Sequence, residues 1–402
     1  MITRRAIHSF WPDGDGSTLS LDFTTGVLDS RLTFTRTSTG TFINASGLVA
    51  TASNNVARFD HDPTTLTPRG LLIEGTATNL LNWSESFATS GGASNNWADT
   101  HITRNSTNNT DPANGTTALR VTASATHGTI ISTTAMGTSA ARTFSIWLRR
   151  VSGTGPIDYT LDNGSTYTTQ AITSSWVRYT FAATTAAQRV GIRIHTNGDS
   201  IELWGAQLET GSGASSYIPT GASTATRNAD SCSIALSAFG FVTTGGTFQV
   251  NYRRGEFGTQ DRTVISTDYV NGRWIGVNHA NGGANGNLAW WDGTGNLTRS
   301  TQTAGANKLA YSFGANTGSG ATLQLPVSLS VNGSTTTGTF GNGTTNGANV
   351  PNLANITHLV IGAASQTNPY STANRDFLNN CVSLVKYWPT RLPDARLTTI
   401  TT

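Results

Sequence analysis

From about residue 117 onward, apolar and polar residues alternate with a period of two, and no stretch of useful length carries a helical period to compete with it. In "TFSIWLRR", Phe144, Ile146 and Leu148 alternate with Ser145, Trp147 and Arg149. "SWVRYTFAA" sets Val177, Tyr179 and Phe181 against Trp176, Arg178 and Thr180, and "RVGIRIHTNGDS" repeats the device with Val190, Ile192 and Ile194 before turning through Asn197-Gly198. Side chains on a strand point alternately to its two faces, so each run predicts a strand with one face in a core and one toward water. Several such runs between Asn82 and Thr220, separated by Gly, Asn and Ser, predict a two-sheet antiparallel sandwich over residues 82–222.

A connector rich in Pro, Gly, Thr and Ala, "SYIPTGASTATRNADS" (Ser216 to Ser231), interrupts the series. Alternation restarts in "GTFQVNYRRG" with Phe248, Val250 and Tyr252, which predicts a second sandwich over residues 223–402. Asn332-Gly333 reads as a hairpin turn, and a short terminal helix is expected from Pro393-Asp394. Residues 1–81 hold only short apolar pairs and turns, too little to bury a core alone, so they are expected to pack on a neighbour. The fold class expected is all-β: an N-terminal anchoring arm followed by two antiparallel β-sandwich domains of jelly-roll type.

Composition excludes several functions. Charged residues make up 12% of the 402, and a net charge of +3 is scattered along the chain, so no nucleic-acid partner is expected. Lys308 and Lys386 are the only lysines, and the arginines that supply the remaining positive charge are read as structural hydrogen-bond donors. No apolar run is long enough for a membrane helix, and "MITRRAIHSFWPDGDG" has no signal-peptide h-region, so neither membrane insertion nor a secretion signal is expected. Cys232 and Cys381 are too few for a disulfide framework or a zinc site; one bridge and two buried free thiols both remain open.

Four motifs carry a resemblance: Phe34-Thr35-Arg36, Ala57-Arg58-Phe59-Asp60, Arg69-Gly70-Leu71-Leu72-Ile73-Glu74 and Thr78-Asn79-Leu80-Leu81. In this order they resemble the N-terminal module of tailed-bacteriophage fibre, head-spike and minor virion proteins. The stretch "LWGAQLETGSGASSYIPTGASTATRNAD" is similar to the end of the carbohydrate-binding-module-like jelly roll that often follows that module. "VSLSVNG", "LVIGAAS" and "VKYWPTRLPDARLTTI" are similar to a concanavalin/laminin-G-type sandwich. The resemblance implies a structural protein on the outer surface of a phage particle, a fibre, spike or decoration subunit. Its partners would be other capsid or tail proteins and its own copies, as a homotrimer, with adhesion to host-surface polysaccharide. A capsid or tail cement protein without a receptor role, and a polysaccharide depolymerase, are the alternatives.

Candidate sites follow from residue type. Asp60-His61-Asp62 is the densest ionisable cluster, but neighbours on an extended chain point to opposite faces and cannot converge on one metal. Arg58, Asp60, Asp62, Arg69 and Gly70 are therefore read as a structural turn, with the aspartates bonded to amides of "DPTTLTPRG" and an arginine paired with an acid. No metal or cofactor is expected. The five glutamates, Glu74, Glu85, Glu202, Glu209 and Glu256, present no glycosidase pair; Glu202 and Glu209 are read as surface residues on opposite faces of a regular strand. No nucleophile-elbow pattern occurs, so catalysis is not expected. A sugar ring stacks its apolar face on indole while its hydroxyls take directional hydrogen bonds, so glycan sites combine aromatic with polar side chains. Arg273, Trp274, Asn278, Trp290, Trp291 and Asp292 form one such group, with one indole of the Trp290-Trp291 pair directed into the core; Trp147, Trp176 and Arg178, outward in the alternation, form the other.

Overall fold

The computed structural model describes residues 14–87, 97–105, 109–134, 139–185, 189–254, 262–268, 276–280, 287–291, 296–299, 305–315, 325–340, 356–363 and 377–402, and their regular structure is almost wholly strand. The chain divides into two compact units: Arg36–Leu66 with Thr76–Ala229, and the residues through Thr35 with Thr67–Gly75 and Asp230–Thr402. The stretch 1–81 expected as a separate arm is thus shared between the two. Its strands are three to six residues long, and they join sheets made by later parts of the chain: Leu32–Thr35 pairs with Ser231–Ala235, Pro68–Ile73 with Asn380–Trp388, and Ala77–Asn79 with Ala225–Arg227. The last pairing also carries the connector back into the first unit, so the division falls after Ala229 rather than at residue 222.

The first unit is a jelly roll. Ile157–Thr160 pairs with Thr168–Gln170, Ala140–Ser152 with Val177–Thr185, Gly128–Ser132 with Gly191–Ile194, and Leu119–Ala123 with Ser200–Thr210, each pair nested in sequence within the next. Alternate pairs fall in alternate sheets, giving two five-stranded antiparallel sheets. Between them lie Phe144, Ile146, Leu148, Val190, Ile192 and Ile194, the inward sets expected from the alternation. Phe181 stacks on Tyr159 of the opposite sheet at 3.7 Å between centroids. Each such fully buried side chain contributes about 1.5–3 kcal/mol by leaving water. Val177, opposite Leu148 and so on the same face, is nevertheless 37% exposed at the start of its strand.

The motif residues of the first 81 positions are internal staples. Arg36, 1% exposed, donates from Nε to Ser38 O at 2.9 Å and from Nη2 to Ser53 O at 2.9 Å and Val56 O at 3.1 Å. Arg58 Nη1 donates to Thr41 O at 2.9 Å and Ser216 Oγ at 2.8 Å. Asn79 Nδ2 donates to Ala206 O and Ile218 O, and its Oδ1 accepts from Leu81 N and Leu208 N. A buried carbonyl left unpaired costs about 1–3 kcal/mol, which these side chains offset.

Asp62 behaves as expected, its Oδ1 accepting from Thr64 N and Thr65 N at 2.9 Å. Asp60 bonds beyond that turn. Its Oδ1 accepts from Ile43 N at 2.7 Å, tying Phe59–His61 to the hairpin Gly40–Ile43/Val49–Ala52. Arg69 and Gly70 are likewise not in a turn but inside the strand Pro68–Ile73 of the second unit. Gly70 has φ +101°, and a Cβ there would lie 2.3 Å from Val382 O, so only glycine permits this strand approach.

The second unit holds two further antiparallel sheets. One runs in the order Ser334–Phe340, Leu325–Val331, Gly305–Phe313, Gly246–Arg254, Asn380–Trp388, Pro68–Ile73, with Leu19–Asp22 also on Asn380–Trp388. The other runs Leu32–Thr35, Ser231–Ala235, His358–Ile361, Arg262–Thr267, Gly276–Ala280, Asn287–Trp291, Asn296–Arg299. Phe248, Val250 and Tyr252 face the core as the pattern requires, with Phe248 4.6 Å from Tyr387 and 5.1 Å from Tyr311. Asn332 and Gly333, at φ +46° and +81°, make the expected hairpin turn. The helix Asp394–Thr401 starts after Pro393 and covers the opposite face of that sheet through Leu397, a Gln249 to Ile400 O bond of 2.9 Å and a Thr401–Ser330 hydroxyl pair at 2.8 Å. Cys232 and Cys381 are both buried free thiols, and burial followed by the charge of Asp230 pushes the Cys232 thiol up to about 12.

Candidate functional site

The outer face of the jelly-roll sheet that holds Ala140–Ser152 and Ser200–Thr210 is shaped by an irregularity in their pairing. Ser145 stands opposite Gln207 but Trp147 opposite Trp204, so one strand carries an extra residue at Gly205-Ala206. Gly205 takes φ +63°, and a Cβ on it would meet the Trp147 ring at 2.8 Å. The bulge flips the alternation of Ser200–Thr210. Ile201 and Leu203 point into the core before it, Ala206 and Leu208 after it. Glu202, Trp204, Gln207 and Glu209 therefore share the outward side, whereas a regular strand would have put the two glutamates on opposite sides.

That side is not bare surface. Glu202 and Glu209 are 0% and 4% exposed, which corrects their reading as surface acids. Glu202 accepts from Arg120 Nη2 at 2.7 Å and Arg149 Nε at 2.5 Å. Burial raises the Glu209 carboxyl, partly countered by bonds from Ser215 and Gln207. Trp147, expected to be presented outward, is 6% exposed; Trp204 at 5.2 Å and Tyr217 at 5.3 Å close on it edge to face, and Arg178 Cζ lies 4.7 Å above its ring. Arg178 is spent on Ser215 O at 2.7 Å and Ser145 Oγ at 2.9 Å. Trp147 is thus internal and Arg178 half-buried, because the chain's own segment 215–218 covers the face they occupy. Trp176 is half-buried at the rim, its Nε1 donating to Thr110 O at 3.2 Å and Arg149 Cζ 4.8 Å from its ring.

What remains open beside these aromatics is a cleft of about 230 Å³ lined by Thr41, Val49, Thr51, Glu85, Asp111, Ala113, Gly115, Thr117, Trp204, Tyr217 and Pro219. It falls short of the ~300–1,000 Å³ of drug-sized sites, and suits a single ring or less. Each wall has a local cause. Trp204 points outward by alternation with Leu203, and its Nε1 donates to Thr117 Oγ1 at 2.7 Å. Asp111 closes the "DPANG" turn: Oδ1 accepts from Ala113 N and Gly115 N, and Oδ2 from Thr117 N and Thr117 Oγ1, all between 2.8 and 3.0 Å. Tyr217 donates to Glu85 Oε1 at 3.0 Å and lies 2.7 Å from Ser84 Oγ. Burial, then the Asp111 charge, raises the Glu85 carboxyl against the lowering effect of the Tyr217 bond. Burial also holds the Tyr217 phenol well above its usual value, so it stays a donor.

The cleft gathers none of the expected glycan residues. Trp147 lies behind Trp204, Trp176 and Arg178 stand to either side of the aromatic group, and Arg58 and Asp60 belong to the neighbouring staples. Of the other expected group, Arg273, Trp274 and Asp292 lie outside the described residues. Asn278, Trp290 and Trp291 lie on paired strands, Asn278 opposite Ala289 and Val277 opposite Trp290, with their side chains outside the described part. Glu85, Asp111, Trp204 and Tyr217 were missed because they come from four separate segments. The one local signal was Gly205, which directly follows an indole inside an otherwise alternating strand. Among the described residues no group of three or more His, Cys, Asp or Glu could hold a metal ion, and no helix is long and apolar enough to cross a membrane.

No protein-family model matches the chain, and no curated protein matches it in sequence. Among solved structures, similarity is found to domain 4 of the GH43 extracellular arabinanase AbnA from Geobacillus stearothermophilus, in complex with arabinotriose. There the identity is 13%, with 47% of this chain and 82% of that one covered at a TM-score of 0.28. The tandem CBM22-1–CBM22-2 domain of Paenibacillus barcinonensis Xyn10C is 10% identical over 80% of this chain and 98% of its own, TM-score 0.25. Domains LG4-5 of mouse laminin alpha1 are 10% identical over 68% and 88%, TM-score 0.25. Similarity at these scores assigns no ligand to the chain.

Proposed function

We propose that this chain is a passive glycan-binding structural protein of a tailed-bacteriophage particle, acting as a homotrimeric fibre, spike or decoration subunit. The particle assignment is carried by the ordered motifs of the first 81 residues. The binding role is carried by one observation: the jelly roll keeps a cleft of about 230 Å³ where Glu85 takes a hydrogen bond from Tyr217 over a buried aromatic group. The polar groups the cleft presents are the exposed Thr51 hydroxyl and the Glu85 carboxylate, with Trp204 and Tyr217, 2% and 3% exposed, contributing only ring edges. Hydrolysis is disfavoured because Asp111 already accepts four hydrogen bonds, leaving one carboxylate where glycoside cleavage needs two. Weak single-site binding would become effective through repetition on the particle.

The test is a glycan array read with the full chain and with Thr51→Trp, which fills the cleft without touching the core. Binding by the parent and its loss in the variant supports the reading; unchanged binding by the variant, or none by the parent, removes it. The cement alternative is favoured by the coverage of that face, which leaves Trp147, Trp204 and Tyr217 only 6%, 2% and 3% exposed. Labelled chain lying flat against the capsid, rather than protruding, would decide for cement.

A further inference from the structure

An asparagine followed by glycine is prone to spontaneous loss of ammonia, because glycine has no Cβ to hinder attack by its own backbone nitrogen on the asparagine side chain. That nitrogen loses its proton to solvent base and bonds to the asparagine Cγ. The Cγ–Nδ2 bond breaks, and ammonia leaves with a proton returned from solvent. Water then opens the cyclic imide to aspartate or to isoaspartate, which adds a carbon to the backbone. Turns of this chain use the dipeptide repeatedly: Asn114-Gly115, Asn163-Gly164, Asn197-Gly198 and Asn332-Gly333 lie within the described residues, and each of these asparagines is exposed.

In every one of these turns the attacking nitrogen is already engaged. Gly115 N donates to Asp111 Oδ1 at 2.8 Å, Gly164 N to Thr160 Oγ1 at 2.9 Å, Gly198 N to Ala123 O at 2.8 Å and Gly333 N to Thr401 Oγ1 at 3.1 Å. The acceptors are a carboxylate, a carbonyl and hydroxyls, so no single turn type accounts for them. Asn332 is held at its side chain as well, with Oδ1 accepting from Lys308 N and Nδ2 donating to Asn307 Oδ1, both at 2.9 Å. A nitrogen whose proton is held by an acceptor neither ionises readily nor swings toward Cγ, so the reaction must run from a locally opened turn. We infer that the fold shields these Asn-Gly turns from deamidation by tying down the glycine nitrogen, and that the asparagines keep their amides through long exposure to water. The shielding is independent of what the cleft binds.

The test is prolonged incubation of the full chain in mildly alkaline buffer at body temperature, with peptide mapping by mass spectrometry to read conversion of amide to acid at each asparagine. The reference is the same chain kept in guanidinium chloride. Conversion in the folded chain should be about fivefold slower or more at Asn163, Asn197 and Asn332, and about tenfold slower or more at Asn114, whose glycine nitrogen meets a charged acceptor. Thr160→Val keeps the side-chain shape and removes the acceptor of Gly164 N, so it should speed conversion at Asn163 by about fivefold and leave Asn114 and Asn197 at the parent rates. If the variant instead speeds all of them, it has lost its fold, and amide hydrogen exchange of the parent decides: the glycine amides must be protected to the extent that deamidation is slowed. Equal conversion in the folded and denatured parent, or an unchanged Asn163 in a folded Thr160→Val chain, overturns the inference. Slowing without protection of the glycine amides overturns it too, by moving the cause to the asparagine side chains.

Discussion

Replacing Gly205 by alanine tests the bulge on which the cleft depends. Two penalties add. At φ +63° an L-residue pays about 1–2 kcal/mol for left-handed backbone. The new methyl would then sit 2.8 Å from Cε3 of Trp147, well inside van der Waals contact. Trp147 has nowhere to go, with Trp204 at 5.2 Å, Tyr217 at 5.3 Å and Arg178 above it. Overpacking of this kind costs about 1–3 kcal/mol. The sum, about 2–5 kcal/mol, should lower the melting temperature of the jelly-roll unit by roughly 5–15 °C. Scanning calorimetry of the full chain reads it, with near-ultraviolet circular dichroism reporting the tryptophan cluster. Gly198→Ala is the control: it has φ +86° but nothing within 4 Å of the added Cβ, so it isolates the backbone penalty. If the two substitutions cost the same, the ring of Trp147 yields freely and the argument that the bulge and the aromatic group lock each other is wrong.

Removing Arg120 and Arg149 together should strand the fully buried Glu202 carboxylate and cost about 3–5 kcal/mol. Either single alanine variant, losing a guanidinium that is 38% or 30% exposed, should cost about 1 kcal/mol or less in urea unfolding, so additive losses would refute the shared-carboxylate account. In the opposite sheet, Asp158 accepts from Arg193 Nη2 at 2.6 Å, from Thr169 Oγ1 at 2.8 Å and from His195 Nε2. Burial alone would raise its carboxyl, yet the bonds from His195, Arg193 and Thr169 bring it below the ordinary 3.8. Because the folded value is the lower one, the stability Asp158 contributes is complete above about pH 3.8 and is lost as pH falls through that folded value. Asp158→Asn should flatten this acid limb in urea midpoints taken stepwise down in pH, and an unaltered limb would exclude Asp158 as its source.

The strand-built fold was legible because alternation reports burial directly. Phe144, Ile146 and Leu148, and again Phe248, Val250 and Tyr252, face the cores as the pattern requires. The hairpin at Asn332-Gly333 and the helix after Pro393 were legible from backbone chemistry alone. Long-range pairing was not. Nothing local in Leu32–Thr35 or Pro68–Ile73 says that their partners begin at Ser231 and Asn380, so the leading residues read as a separate arm. The site was hidden for a related reason. Outward position on a strand does not mean exposure when another part of the chain covers that face, as the segment around Tyr217 covers Trp147. A single inserted residue at Gly205 also reversed the side assigned to Glu209 relative to Glu202. Arginine richness, by contrast, was correctly read as hydrogen bonding: Arg36 and Arg58 hold backbone carbonyls in the interior.

The strand Asn380–Trp388 has Gly246–Arg254 along one edge and, along the other, both Leu19–Asp22 and Pro68–Ile73. During synthesis the ribosome releases Leu19 well before its partner Tyr387, and every strand of the jelly roll emerges in between. The unit whose segments appear first is therefore the one finished last, and until then its leading strands wait with open edges, in need of protection from wrong partners. A nascent chain stalled short of Asn380–Trp388 would thus carry a completed jelly roll and a second unit still lacking the strand that joins its early and late segments.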